Sequence, residues 1–185
     1  MYQKQVPTNL YVDLVHHCQD ITWGRTQDES RSLSIVRDKP AFVPIIDWIN
    51  SCVADVFNEV YTDPIAQGLE VSDIWLNRAE RGEETYYHNH PWSIISGIVY
   101  ITGNDGDTIF VHKNPYDTIT EMPMSRKYQT SHEVPLRNGT IVMFPSTVHH
   151  YVPPNNADVV RHTLSFNTMP TSIDDGHLVN WYPKR

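Results

Sequence analysis

Ten histidines occur in the 185 residues, and two places set them at a spacing that can do chemistry: His88 and His90 in ETYYHNHPW, and the adjacent His149 and His150 in FPSTVHHYVPP. Side chains at i and i+2 of a β-strand leave from the same face, so His88 and His90 can converge on one cation while Asn89 faces away. Neutral imidazole is a ready ligand for divalent transition metals. An isolated H-x-H is more often a pair of strand histidines with ordinary hydrogen bonds, and a third imidazole delivered from elsewhere reverses that preference. His149 and His150 follow about sixty residues later, where a jelly roll returns to its opposite sheet. Neighbours on an extended segment point to opposite faces, so only one of these two can join the pair. His16 and His17, beside Cys18 in LVHHCQD, read instead as part of a helix.

A second polar group lies in VVRHTLSFN. Alternation puts Val160, His162, Leu164 and Phe166 on one face and Arg161, Thr163, Ser165 and Asn167 on the other. If the apolar row packs under a helix, the polar row faces the mouth of a barrel, where a guanidinium needs an anionic partner. A protein carboxylate and a dicarboxylate ligand suit its bidentate fork equally well. The same parity in SIISGIVYIT places Ser96, Ile98 and Tyr100 together, with the Tyr100 hydroxyl inside, opposite Ile95, Gly97, Val99 and Ile101. Asn77 shares a face with Trp75 and is either another polar lining residue or a strand-end cap.

These residues need strands to hold them. From Val71 onward the chain breaks into short β-rich runs, VSDIWLN, TYYHN, SIISGIVYIT, TIFVH, TIVMFP and VVRHTLSFN, separated by Gly, Asn, Asp and Pro clusters. Before them, AFVPIIDWINSCVADVFNEVY carries Ile45, Ile46, Ile49, Val53, Val56, Phe57 and Val60 at helical spacings, one amphipathic helix with a buried stripe. The pattern predicts a mainly β fold with an N-terminal helix packed outside one sheet of a cupin-like jelly roll, a double-stranded β-helix. One domain is expected: an extended and helical segment over 1–66 outside the barrel, a core over 67–170 and a tail over 171–185. A chain of this length hides roughly 70% of the surface its unfolded form exposes, enough for an internal site.

Composition narrows the function classes. Hydrophobic content of 39% with 19% charged residues is ordinary for a globular domain. A net charge of -8 argues against a surface built for nucleic-acid phosphates and favours a small-molecule or polypeptide substrate. Neither a signal peptide nor a run of roughly 20 apolar residues is visible, so the expectation is a cytoplasmic protein without a membrane partner. Cys18 and Cys52 read as reduced thiols. An edge strand or the apolar helix could support a homodimer.

The motifs Trp75-Leu76-Asn77, His88-Asn89-His90-Pro91 through Ser96-Gly97, Phe144-Pro145-Ser146 through His150, and Arg161 through Asn167 together resemble the Fe(II)/2-oxoglutarate-dependent oxygenases, in a prolyl-hydroxylase-like, H-x-H-P variant. The likeness spans most of the chain after residue 70. It implies that iron(II) is held by His88, His90 and His150, the last chosen because the Val and Pro of HYVPP follow the ligand in that family. By motif position, Tyr100 would hydrogen-bond 2-oxoglutarate and Arg161 its distal carboxylate, with Asn77 and Ser165 on the same co-substrate-binding wall. The implied reaction hydroxylates a substrate and releases succinate and carbon dioxide. His90 departs from the pattern, because most of the superfamily places a carboxylate there. That departure keeps two alternatives: a three-histidine cupin-type metalloenzyme that does not use 2-oxoglutarate, and a noncatalytic β-sandwich binding module. Substrate contacts are expected from residues 113–131 and from the N-terminal segment, with Trp92 and Tyr128 as candidates.

Overall fold

A computed structural model of the chain describes residues 1–25, 30–32, 36–61, 67–112, 130–174 and 180–181. In chain order these form β1 (Tyr2–Gln5), α1 (Thr8–His17), β2 (Trp23–Arg25), β3 (Ser30–Ser32), α2 (Val43–Val60), β4 (Leu69–Ala79), β5 (Thr85–His88), β6 (Ile95–Thr102), β7 (Thr108–His112), β8 (Thr130–Val134), β9 (Thr140–Pro145), β10 (His149–Val152), β11 (Arg161–Pro170), β12 (Ile173–Asp174) and β13 (Asn180–Trp181). Tyr128 and the segment 113–129 lie outside the described residues.

Alternation builds two layers. The larger sheet has the order β1-β9-β6-β11-β4-β3-β2, the smaller β5-β10-β7-β8, and the short pair β12-β13 stands apart. Strands β4, β6, β9 and β11 present two faces. One set, with Ile74, Leu76, Val99, Ile101, Ile141, Met143, Leu164 and Phe166, meets the helices in the main core; the other, with Ile98, Tyr100, Val142 and Phe144, meets Phe110 and Val134 of the smaller sheet. The parity expected for VVRHTLSFN and SIISGIVYIT is therefore the parity observed.

Helix α2 starts with Pro44 in its first turn, where a missing N–H costs nothing. It buries Ile45, Ile46, Ile49, Cys52, Val53 and Phe57, while Val60 at its end is exposed. Asn50 Oδ1 accepts the Val71 N–H at 2.9 Å, tying the helix to β4. By length and hydropathy, Pro40–Val60 could cross a membrane, which differs from the expectation of no such run; its apolar stripe is spent on the sheet instead. The N-terminal segment also does more than pack outside the barrel. Its strand β1 pairs with β9, and β3 pairs with β4, widening the larger sheet at both edges.

Gly97 stands opposite Phe166 in the β6–β11 register, and a Cβ at that position would collide with the far edge of the Phe166 ring. Gly97→Ala is thus expected to destabilise the fold by about 1–3 kcal/mol, as overpacking does; a lowered urea midpoint checks this, and an unchanged midpoint contradicts it. On the same helix-facing side, burial and then Arg78 hold the His162 ring neutral down to about 4. Between the ordinary 6.5 and that value, the unfolded chain takes up a proton that the folded chain refuses, so this stability is complete above 6.5 and lost as pH falls toward 4. His162→Gln should narrow the drop in urea midpoint between about pH 7.5 and about pH 5; an equal drop in both proteins contradicts this assignment.

Candidate metal centre

His88 ends β5 and stands directly across from His150 in the antiparallel β5–β10 register. Opposed residues of such a pair share a face, which sets the two rings with centroids 4.4 Å apart. His90 lies just past the strand, so no ladder holds it. Its backbone N–H instead donates to the Ser146 carbonyl at 2.9 Å, in the turn that precedes β10. The ring of His90 then lies 5.0 Å from that of His88 and 5.2 Å from that of His150. One nitrogen from each imidazole comes within 4.8 Å of the others, a set that could hold a metal ion.

Hydrogen bonding selects the nitrogen that faces the centre. His88 Nδ1 lies 2.7 Å from the Tyr86 carbonyl and His150 Nδ1 lies 3.2 Å from the Val148 carbonyl. A carbonyl can only accept, so each Nδ1 carries the hydrogen and each Nε2 keeps its lone pair for a cation. Burial, and then His88, push His150 down to about 3 and His90 to about 4. His90 and His150 are therefore neutral at neutral pH, the form a metal requires. Phe144 and Phe110 pack against the His150 ring at 4.8 and 5.7 Å. His149 leaves on the other side and stacks on Tyr87 at 4.9 Å.

Ser93, Ser96 and Ser146 bond to one another and to β11 and do not line the cavity. Ser96 Oγ donates to Asn167 Oδ1 at 2.8 Å and sits 2.7 Å from Ser146 Oγ, which is also 2.8 Å from Ser93 Oγ. Ser93 Oγ in turn accepts the Thr168 N–H at 3.0 Å. This chain of hydroxyls locks the turn carrying His90 and the turn preceding His150 onto β6 and β11. Asn167, the last of the expected polar row, belongs to this network.

One cavity joins the imidazoles to Asn77, Tyr100, Arg161, Thr163 and Ser165. Arg161 is only 3% exposed. Its side chain packs on Gly103 and Gly106, and a Cβ at Gly106 would overlap the guanidinium. Nη1 donates to the carbonyls of Asp105 and Pro153 at 3.4 and 3.3 Å, while the Asp105 carboxylate accepts the Asn156 N–H. Tyr100 Oη and Thr108 Oγ1 are 2.7 Å apart, and burial pushes the phenol up to about 12, so it stays protonated. Asn77 lies inside β4 rather than capping it, and its Nδ2 donates to Ser165 Oγ at 2.9 Å. Among the described residues, Asn77 Oδ1 and Trp75 Nε1 are buried without a hydrogen-bond partner.

One expectation changes, and one lining residue was not anticipated. Trp92 is 88% exposed and does not line the cavity, because the turn after His90 directs it outward. Arg31 of β3 does line the cavity; SRS has no strand pattern, and only its pairing with β4 reveals where it stands.

The fold is shared widely with solved enzymes. A prolyl-4-hydroxylase of Pseudomonas putida superposes with a TM-score of 0.61 at 14% identity over 90% of this chain and 91% of its own. The epimerase SnoN of nogalamycin biosynthesis, described as α-ketoglutarate dependent, gives 0.70 at 11% over 99% and 90%. HygX from Streptomyces hygroscopicus, crystallised with nickel, 2-oxoglutarate and hygromycin B, gives 0.66 at 11% over 91% and 82%. These likenesses establish the double-stranded β-helix. No curated protein matches the chain by sequence. Residues 73–167, more than half of the chain and the stretch that carries every residue of the imidazole cluster together with Arg161, match the family described as "Putative 2OG-Fe(II) oxygenase", and the chain therefore belongs to the 2-oxoglutarate- and Fe(II)-dependent oxygenases.

Proposed function

We propose that His88, His90 and His150 hold iron(II), His88 and His150 through their Nε2 atoms, that Arg161 clamps the distal carboxylate of 2-oxoglutarate, and that the enzyme hydroxylates a small-molecule or polypeptide substrate. The observation that carries this reading is one cavity shared by three convergent imidazoles and a guanidinium buried in the sheet. Iron with 2-oxoglutarate supplies the oxidising power, one atom of dioxygen going to succinate as carbon dioxide leaves and the other to the substrate.

The chain's own groups do the rest. Three nitrogen ligands would hold a divalent ion without saturating it, so that it could also take a co-substrate. The Arg161 fork suits a planar carboxylate, and Gly106 and Gly103 let its stem lie flat against the backbone. The protonated Tyr100 hydroxyl can donate to a second anionic oxygen, and the Asn77–Ser165 pair gives that wall further polar contacts. Asn77 Oδ1 and Trp75 Nε1, an acceptor and a donor, have hydrogen-bonding capacity that a polar ligand would meet. Phe110, Phe144 and Val152 keep the other side apolar, which protects a reactive centre from water. Replacing the usual carboxylate by His90 leaves the centre one positive charge higher, a change that strengthens its attraction for dianionic 2-oxoglutarate.

Three variants separate the roles. His150→Ala should lose bound metal, His149→Ala should keep it, and Arg161→Ala should keep metal yet bind 2-oxoglutarate at least about tenfold more weakly, the worth of a charge-assisted hydrogen bond. Metal content by mass spectrometry and 2-oxoglutarate affinity by calorimetry on the zinc-loaded protein check these outcomes. Equal metal loss in Arg161→Ala and His150→Ala would contradict the division of labour.

A further inference from the structure

A second guanidinium stands at this cavity, and co-substrate binding as assigned above does not use it. Arg31 is the direct cross-strand partner of Asn77 in the β3–β4 register. Opposed residues share a face, and Asn77 faces the cavity, so Arg31 emerges on the cavity side as well. Its guanidinium carbon lies 5.1 Å from the centre of the Trp75 ring, within the range of a cation–π contact. The Trp75 ring is in turn 6.0 Å from that of His90. Arg31 thus sits one aromatic ring away from the imidazole cluster. Unlike the buried Arg161, it is solvent-exposed, which places it where an incoming substrate arrives.

The hairpin that carries Arg31 is tied down. Strand β2 pairs with β3, and Arg25 of β2 makes an ion pair with the buried Glu83. Glu83 also accepts the Glu80 N–H at 2.7 Å, just beyond the end of β4. Position and ring stacking therefore preorganise the Arg31 fork.

The charges around it point one way. The chain carries a net charge of -8, yet no carboxylate lines this cavity among the described residues; its ionisable lining is Arg31, Arg161, Tyr100 and the three imidazoles. None of the described carboxylates forms an ion pair with Arg31. Beneath Arg31, the buried Trp75 Nε1–H lacks an acceptor among the described residues. A cation and an N–H donor on one wall call for oxygen acceptors, and at least one of them should be charged.

We infer that Arg31, stacked on Trp75, is a specificity-determining cation at the mouth of the cavity, and that the primary substrate presents a carboxylate or phosphate to it. This rests on the assignment of Arg161 to 2-oxoglutarate, which leaves Arg31 for the second molecule. A neutral substrate would gain nothing from the fork, whereas an anionic one gains an interaction held close to the reacting centre.

The test uses full-length protein loaded with zinc(II) and saturated with 2-oxoglutarate. A panel of carboxylic acids, phosphate monoesters and primary amides built on the same carbon frames is measured for affinity by ligand-observed NMR. The anionic members should bind at least about tenfold more tightly than their neutral counterparts. Arg31→Gln should erase that preference, Arg31→Lys should restore part of it, and 2-oxoglutarate affinity should stay within about twofold in both variants. The stronger of the carboxylate and phosphate arms identifies the group recognised. Absence of any anion preference, or its survival in Arg31→Gln, overturns the inference. So does a loss of 2-oxoglutarate affinity in Arg31→Gln as large as the loss for the panel, which would make Arg31 part of the co-substrate site. Failure of the wild-type protein to bind 2-oxoglutarate strikes the Arg161 assignment instead, and the anion preference is then read on the zinc-loaded protein alone.

Discussion

The hydrogen bond from the His90 N–H to the Ser146 carbonyl decides whether there is one centre or three separate histidines. His88 and His150 need only the β5–β10 register to meet. His90 has left the strand by then, and without a fixed backbone its imidazole would be one of many rotamers on a loop. Ser146 holds it from the far side of the fold, and Ser146 is itself held by Ile94 through its N–H and by Ser93 and Ser96 through its hydroxyl. Ser96 and Ser146 are buried and His90 and Ser93 half-buried, so their polar groups must be satisfied in the folded state. Satisfying them together fixes the geometry of the centre before any ligand arrives.

That network explains which parts of the site were legible in the sequence. Period-two alternation located the strands that line the cavity and correctly sorted Arg161 and Ser165 from Leu164 and Phe166, because β11 has the helices on one side and the cavity on the other. Strand parity likewise allowed only one of His149 and His150 to reach the centre, but it could not say which. The motif resemblance chose His150, and the β5–β10 register agrees. The roles of Ser93, Ser96 and Ser146 were hidden, since hydroxyl networks arise from tertiary approach of segments far apart in sequence. Strands β1 and β3 were hidden for a related reason. YQKQ and SRS carry no alternating apolar pattern; they are strands because β9 and β4 offer them open edges. Arg31 was lost with β3.

Electrostatics give the cavity its character. The chain is acidic overall, whereas among the described residues no carboxylate lines the site, which sets one guanidinium deep and one at the mouth. With His90 as the proposed ligand in place of the customary carboxylate, the same trend would extend to the metal. An oxygenase with a neutral ligand set depends more heavily on its co-substrate for negative charge, which couples metal and 2-oxoglutarate binding more tightly than in a centre with its own carboxylate. The chemistry of His90 is therefore continuous with that of Arg161 rather than an isolated departure from the family pattern.

The most direct measurement is an anaerobic titration of the metal-free protein with iron(II) and 2-oxoglutarate, followed by visible absorption. If the three imidazoles hold the iron and the cavity presents the co-substrate to it, a weak charge-transfer band should grow to saturation at one iron and one 2-oxoglutarate per chain. Stoichiometric binding of iron with no such band at any concentration of 2-oxoglutarate would contradict the account.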